Sequence, residues 1–277
     1  MTATIKHSHL IGSHNHPDIK RIRRLRDRAM REQTGQYYVE GLRFVANAFQ
    51  SQAPVDMLVV CPQQLDHPYA ERIIHHYQRV GVPVLEVTPE ILNGISAVDD
   101  PQGIGAVVRQ RWESLTRVTP GDELCWVALQ IVRSAGNLGT ILRTSEAIGG
   151  AGVIVLDEAT DPYDPACVRA TMGAIFRQRF IRTSIEKFRR WKQRHNYQLI
   201  GTSPSATTDY QDVHYHTPTI ILMGEERKGL PQSLQALCDT VVQIPMVGES
   251  DSLNLAVATG VMLYEVFNQR RKKETSH

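Results

Sequence analysis

Long apolar runs are missing from this 277-residue chain, and none reaches the length needed to cross a membrane. No basic stretch leading into an apolar one opens it, so no export leader is expected. The four cysteines, Cys61, Cys125, Cys167 and Cys238, stand far apart and form no Cys-x-x-Cys pair. That spacing excludes a disulfide scaffold and a zinc ribbon, and reduced thiols in the cytoplasm are the expectation. A surplus of one charge is missing too: 31 Lys and Arg face 29 Asp and Glu, for a net charge of +2. The total therefore says little about partners, and only the distribution of charge can. Internal repeats and low-complexity segments are absent.

Several catalytic signatures are also lacking. There is no Gly-x-Ser-x-Gly elbow and no His-Glu-x-x-His zinc helix. Gly103-Ile-Gly105 has Val108 where a dinucleotide fingerprint needs its third glycine. Gly224–Gly229 is followed by Leu230, not the lysine of a phosphate loop, and Glu225 and Glu226 would repel a phosphate.

What is present is an ordinary globular composition, 42% hydrophobic and 22% charged, with length enough for two domains. Residues 2–17 are polar and carry His7, His9, His14 and His16; without supporting ligands they read as a mobile, solvated terminus. Lys20–Arg31 holds seven basic residues against Asp27 alone, with Ile22, Leu25, Ala29 and Met30 near helical spacing. One amphipathic helix is predicted. Like charges on neighbouring turns repel, and a polyanion would relieve them and release counterions. Lys20, Arg21, Arg23, Arg24 and Arg28 are therefore read as RNA contacts, in preference to the plain alternative of a solvated charged face, with further backbone contacts from Arg177–Arg182 and Arg189–Arg194.

Strands are predicted at Tyr37–Val39, Met57–Val60, Val82–Val87 and Ile104–Val108. Helices are predicted at Leu42–Phe49, at Ala70–Val80 and after the Thr88-Pro89 start signal. This makes a small α/β domain over residues 1–112. Thr119-Pro-Gly-Asp122 suits a linker over 113–122. Beyond it, over 123–277, β-type runs at Leu124–Gln130, Gly152–Leu156, Gln198–Gly201, Thr219–Met223 and Thr240–Ile244 alternate with helical stretches. The last helix is placed from about Leu253 to Arg270. Such alternation points to a mainly parallel sheet covered by helices.

Three segments carry chemistry. Ser134–Gly149 follows a strand and opens a helix near Asn137, with Arg143 further along. Asn137 as a helix cap and Arg143 as a surface ion pair would be the plain structural readings. Ile220–Pro231 is an apolar strand ending abruptly at Gly224 and the charged turn Glu225-Glu226-Arg-Lys. Open α/β sheets bind ligands beyond the carboxyl ends of their strands, and Gly224 would let one approach the backbone. Ile244–Ala258 is a strand, a Pro/Gly loop and a small-residue helix starting at Ser252-Leu-Asn254, where Ser252 could serve only as an N-cap.

In order and spacing these segments resemble the three motifs of the SpoU family of SPOUT-class RNA 2′-O-ribose methyltransferases. Val168–Phe176 resembles the stretch that connects them, and Asn15–Lys20 with Tyr38–Gly41 resembles the family's substrate-binding domain, so the likeness covers nearly the whole chain. Two departures stand out. Ser134-Ala135 replaces a frequent Asp-Pro, and Glu225 stands where Asn or Gln is usual. The resemblance implies a C-terminal domain with a parallel sheet and a deep trefoil knot, an exception to the rule against threaded chains. It also implies a ribosomal-protein-like N-terminal domain and a homodimer with the site near the subunit interface. Donor and acceptor would be S-adenosylmethionine and a ribose 2′-hydroxyl, with no metal. Ribosomal RNA is favoured over transfer RNA, and a non-catalytic RNA-binding protein on the same fold is the alternative. By the same analogy, Arg143 would act on the hydroxyl, as base or as charged stabiliser, oriented by Asn137 and Glu226. Ser252 and Asn254 would hydrogen-bond within the pocket, and backbone groups near Leu222, Gly224, Ile244, Met246 and Leu253 would cradle the donor.

Overall fold

A computed structural model describes residues 10–118, 121, 123–156, 160–216, 218–226 and 228–274 (of Glu274 only the backbone). His7 and His9 lie outside the described residues. By proximity the chain divides into two units, Met1–Gln110 with Tyr163–Val168, and Arg111–Pro162 with Arg169–His277.

The first unit runs α1 (Pro17–Arg24), α2 (Arg28–Thr34), β1 (Gln36–Glu40), α3 (Leu42–Gln50), β2 (Val55–Val60), α4 (Pro68–Arg79), β3 (Val84–Glu86), α5 (Pro89–Ile95) and β4 (Ile104–Arg109). Its sheet has the order β1-β4-β2-β3. β4 is antiparallel to both neighbours, and β2 and β3 are parallel. Ile19, Ile22 and Leu25 pack against Ile91, Leu92 and Ile95 of α5 and against Met57 and Val59 of β2. Thr88 caps α5 by accepting from the Ile91 N–H, with Pro89 in the first turn, as its dipeptide predicts.

One expectation for this unit is corrected and another refined. The basic stretch is not one helix: α1 stops at Arg24 and α2 starts at Arg28. The cause is Arg31, only 2% exposed, whose Nη1 donates to the carbonyls of Leu25 (2.9 Å) and Arg26 (2.6 Å). A side chain from the second helix thus satisfies carbonyls that a continuous helix would have used internally. Of the stretch before Pro17, residues 12–15 are exposed, as expected of a solvated terminus, but two contacts tie the described part down. Ile11 pairs with Val87, its N–H donating to the Glu86 carbonyl, and His16 Nδ1 caps α1 by accepting from the Asp18 N–H.

The second unit contains β5 (Cys125–Leu129), α6 (Ala135–Ala147), β6 (Gly152–Val155), β7 (Arg179–Arg182), α8 (Ile185–Arg194), β8 (Gln198–Thr202), β9 (Thr208–Asp209), β10 (Thr219–Met223), α9 (Gln232–Gln235), β11 (Thr240–Gln243) and α10 (Leu255–Glu274), while α7 (Pro165–Ala170) belongs to the first unit as far as Val168 and to the second beyond it. All seven strands pair in parallel, in the order β7-β6-β5-β10-β8-β11-β9. The central strands β5, β6 and β10 are buried along their whole length, which explains their unbroken apolar sequences. One core cluster joins Trp126, Ala128, Ile154, Leu199, Ile220 and Leu222 with Phe188 and Trp191 of α8. Residues 113–118 carry a short 3-10 turn, Leu115–Arg117, and Leu115 packs into that core.

The topology matters for function. Simple winding outward from β5 would place β8 beside it; instead the later strand β10 lies between β5 and β8. Because every strand is parallel, the loops after β5, β8, β10 and β11 emerge at one edge of the sheet. The β5–β10 boundary is where successive connections diverge, and open α/β sheets bind ligands at such a point.

Candidate active site

α6 opens at that edge. Ser134 is its N-cap, with Oγ accepting from the Asn137 N–H at 3.2 Å. Ser134, not Asn137, is therefore the cap of this helix. Asn137 Nδ2 donates to Glu226 Oε1 at 2.8 Å, and its Oδ1 accepts from Asn254 Nδ2 at 3.1 Å. Asn254 in turn caps α10, its Oδ1 accepting from the N–H groups of Ala256 and Val257. Asn137, Glu226 and Asn254, one from each segment singled out in the sequence, therefore form one hydrogen-bonded chain. The N-cap of α10 is Asn254, so Ser252 does not fill that role.

α10 can come close to α6 because its first turns are small. Ala256 is buried, and Gly260 lies against Thr144, to whose Cγ2 an added Cβ would come within 3.8 Å. Beyond β10 the chain turns back on itself: the Glu225 N–H donates to the Gly229 carbonyl (3.1 Å) and the Gly229 N–H to the Glu225 carbonyl (2.8 Å). A Cβ on Gly224 would collide with the backbone of Gly229 and Leu230. Sequence reasoning assigned Gly224 to the approach of a ligand; the structure shows that closure of its own turn already requires glycine. Gly229 completes the turn with φ +64°. Leu230 then plugs into the core, and Gln235 Nε2 donates to its carbonyl at 2.7 Å.

A cavity of about 360 Å³ lies at this edge, between the loops after β8, β10 and β11 and the start of α10. Gly224, Ile244, Met246 and Leu253 line it, as do Glu226 and Ser252. The Leu222 side chain is fully buried in the sheet core, and the chain reaches the cavity directly after it, at Met223 and Gly224. Sequence reasoning missed the wall formed by Thr202-Ser203-Pro204-Ser205 after β8, although small polar residues behind a buried strand were a usable signal. It also missed Arg133, whose Nε donates to Glu225 Oε1 at 2.8 Å. Arg143 joins none of these contacts. It is exposed on α6, six residues beyond Asn137, about 9 Å along the axis and turned about 120° around it.

The donor set can be tested against S-adenosylmethionine. Apolar walls from Met223, Ile244, Met246 and Leu253 suit an adenine ring, and Glu225, Glu226 and Asp251, against Lys228, suit a ligand that bears both a positive centre and a carboxylate. The residues present fit the group.

The basic residues divide. Lys20, Arg23 and Arg24 are exposed on α1, whereas Arg21 lies 3.9 Å from Asp18 and Arg28 pairs with Glu32 at 2.9 Å. In the second unit, Arg179 is held by Glu113 and Glu123 over the Trp126 ring, and Arg182 lies over Trp112. Those two arginines are built into the fold, and the run read as a basic patch contains the strand β7.

Comparison with known proteins agrees. The model of the SpoU rRNA Methylase family matches residues 125–264, and that of the MRM3-like substrate binding domain matches residues 16–106. A 23S rRNA (uridine(2479)-2′-O)-methyltransferase from Streptomyces viridochromogenes is 30% identical over 91% of this chain and 89% of its own. An AdoMet-bound rRNA methyltransferase from Sinorhizobium meliloti superposes with a TM-score of 0.87 at 36% identity, covering 93% of this chain and 97% of that one. The AdoMet-bound SpoU methyltransferase AviRb of Streptomyces viridochromogenes superposes with a TM-score of 0.82 at 29% identity, covering 92% and 98%. With Asn137, Glu226 and Asn254 brought together beside a cavity at the sheet's topological break, the chain belongs to the SpoU rRNA Methylase family.

Proposed function

We propose that this protein methylates a ribose 2′-hydroxyl of ribosomal RNA with S-adenosylmethionine as donor. The observation that carries the reading is the cavity bordered by Glu226 and Ser252, with the Asn254–Asn137–Glu226 chain at its side. When bound, the donor supplies a methyl group activated by a sulfonium. The protein's work is then to place a hydroxyl in line with that methyl and to assist loss of its proton. Met223, Ile244, Met246 and Leu253 exclude water around the donor, and Glu226, fixed by Asn137, sets negative charge beside it. Ser252, at the cavity lip, offers a hydroxyl for hydrogen bonding to the ligands. Arg143 is the group assigned to the acceptor. Its exposure leaves the guanidinium able to meet an RNA ribose and phosphate, and to hold the alkoxide as it forms.

RNA would be gathered by Lys20, Arg23 and Arg24, with Arg21 and Arg28 adding charge from their exchangeable surface pairs. We assign substrate binding to residues 1–112 and catalysis to 123–277, joined through 113–122, and we place the enzyme in the cytoplasm. The working form is a homodimer. Exposed Val257 and Tyr264 on α10, with Met246, Val247 and Leu253 just before it, give an apolar surface for a second copy. The interchange of β8 and β10 in the sheet supports the trefoil knot of the family.

The test is to incubate the protein with ribosomal RNA, or with transfer RNA, and methyl-labelled donor, and then to map the labelled nucleotides. Label at a ribose 2′-oxygen of ribosomal RNA is expected. Label on transfer RNA alone, or none at all with intact donor binding, would overturn the substrate assignment or the catalytic one respectively.

A further inference from the structure

Glu225 and Glu226 are consecutive, both line the cavity, and their side chains part company. Glu226 accepts from Asn137, at the third position of α6; Glu225 accepts from Arg133, the residue just before the Ser134 cap. Two adjacent carboxylates thus grip the start of α6 on either side of its N-cap. Glu225 also closes the 225–229 turn through its own N–H and carbonyl, so a shift of this residue moves Glu226 with it.

The pair is unequal. The Glu225 side chain is 10% exposed and that of Arg133 is 64% exposed. A carboxylate withdrawn this far from water needs a cation beside it, whereas the exposed guanidinium gives up little hydration to serve. Glu226, Asp251 and the cation Lys228 line the same cavity. Removing Arg133 takes away the guanidinium that donates to Glu225 Oε1 at 2.8 Å, and with it the tether between this turn and the start of α6. The Glu225 carboxylate is then drawn toward water, which strains the turn that carries Glu226.

We propose that Arg133 is a positioning residue of this enzyme: through Glu225 it fixes the turn after β10, and so holds Glu226 and the donor-side wall in place. The proposal rests on the methyl-transfer reading above. An exposed arginine beside the site could instead touch RNA phosphate directly, and the two roles make opposite predictions.

The experiment compares the full-length wild type with Arg133→Ala, Arg133→Lys, Glu225→Gln and the double variant R133A/E225Q. It measures S-adenosylmethionine affinity by calorimetry without RNA, KM for each substrate, and melting temperature. Arg133→Ala is expected to weaken donor affinity about tenfold in the absence of RNA, and Arg133→Lys to recover part of that. Glu225→Gln should lose a few-fold with its tether. The double variant should bind within about threefold of Glu225→Gln, because an amide needs no cation. Three results would each overturn the proposal in an active wild type: unchanged donor affinity in Arg133→Ala, a raised KM for RNA alone, or a double variant weaker than either single one. A wild type that binds donor with this pattern yet methylates no RNA would instead refute the functional reading and leave the coupling standing.

Discussion

Arg143 and Arg31 show how little a residue's type says about its job. Both are arginines on helices, one in each unit. Arg143 is exposed, outside every contact that builds the site, while Arg31 is buried and bonded to two backbone carbonyls. Arg143→Ala should therefore abolish methyl transfer while donor affinity, read by calorimetry, and melting temperature stay near wild type. Full turnover by that variant would end its assignment. Arg31→Met should do the reverse, lowering stability by roughly 2–4 kcal/mol in chemical denaturation, because it strands buried carbonyls. At this scale the sequence was informative wherever a polar residue stood at a strand or helix end, as Asn137, Glu226 and Asn254 do. It could not show that Glu225 has a partner 92 positions away in Arg133.

Among the elements, the boundaries set by local chemistry were the legible ones. Thr88-Pro89 opens α5, Gly41 precedes α3, and the apolar runs of the central strands fall where β5, β6 and β10 form. The failures share a cause: a long-range interaction overrides the local pattern. Helical spacing through Lys20–Arg31 is broken because Arg31 folds back on Leu25 and Arg26. The strand β7 was hidden among arginines that are anchored by Glu113, Glu123 and Trp112. The turn after β10 offers a test at this scale. Gly224→Ala places a methyl group against the backbone of Gly229 and Leu230, so the turn must open. Donor affinity should fall at least tenfold, with a loss of stability of about 1–3 kcal/mol; an unchanged dissociation constant would show that the turn does not shape the cavity.

For the whole molecule, two predictions concern charge and protons. Replacing Lys20, Arg23 and Arg24 together by Gln should weaken RNA binding and flatten its salt dependence, the slope falling by about one for each phosphate no longer neutralised. A slope equal to wild type would remove α1 from the RNA interface. Burial, above all, pushes the Cys125 and Cys238 thiols from an ordinary 9.0 up to about 12, with Asp239 adding to the rise at Cys238. Both hold their protons more tightly folded than unfolded, so their contribution to stability is complete below pH 9 and disappears as pH rises through about 12. Denaturation midpoints should accordingly fall across that alkaline window, and Cys125→Ala should make the fall shallower.

The amino-acid sequence by itself determined the alternation of elements, the basic charge of α1 and the three segments whose polar residues meet at the site. Those properties are written in periodicity, capping chemistry and composition, which act over a few residues. Only the tertiary structure decided that β10 lies between β5 and β8, that Met223 rather than Leu222 faces the cavity, and that Arg133 answers Glu225. Strand order and side-chain facing are set by which distant segments bury their apolar surface together, and no local pattern encodes that choice.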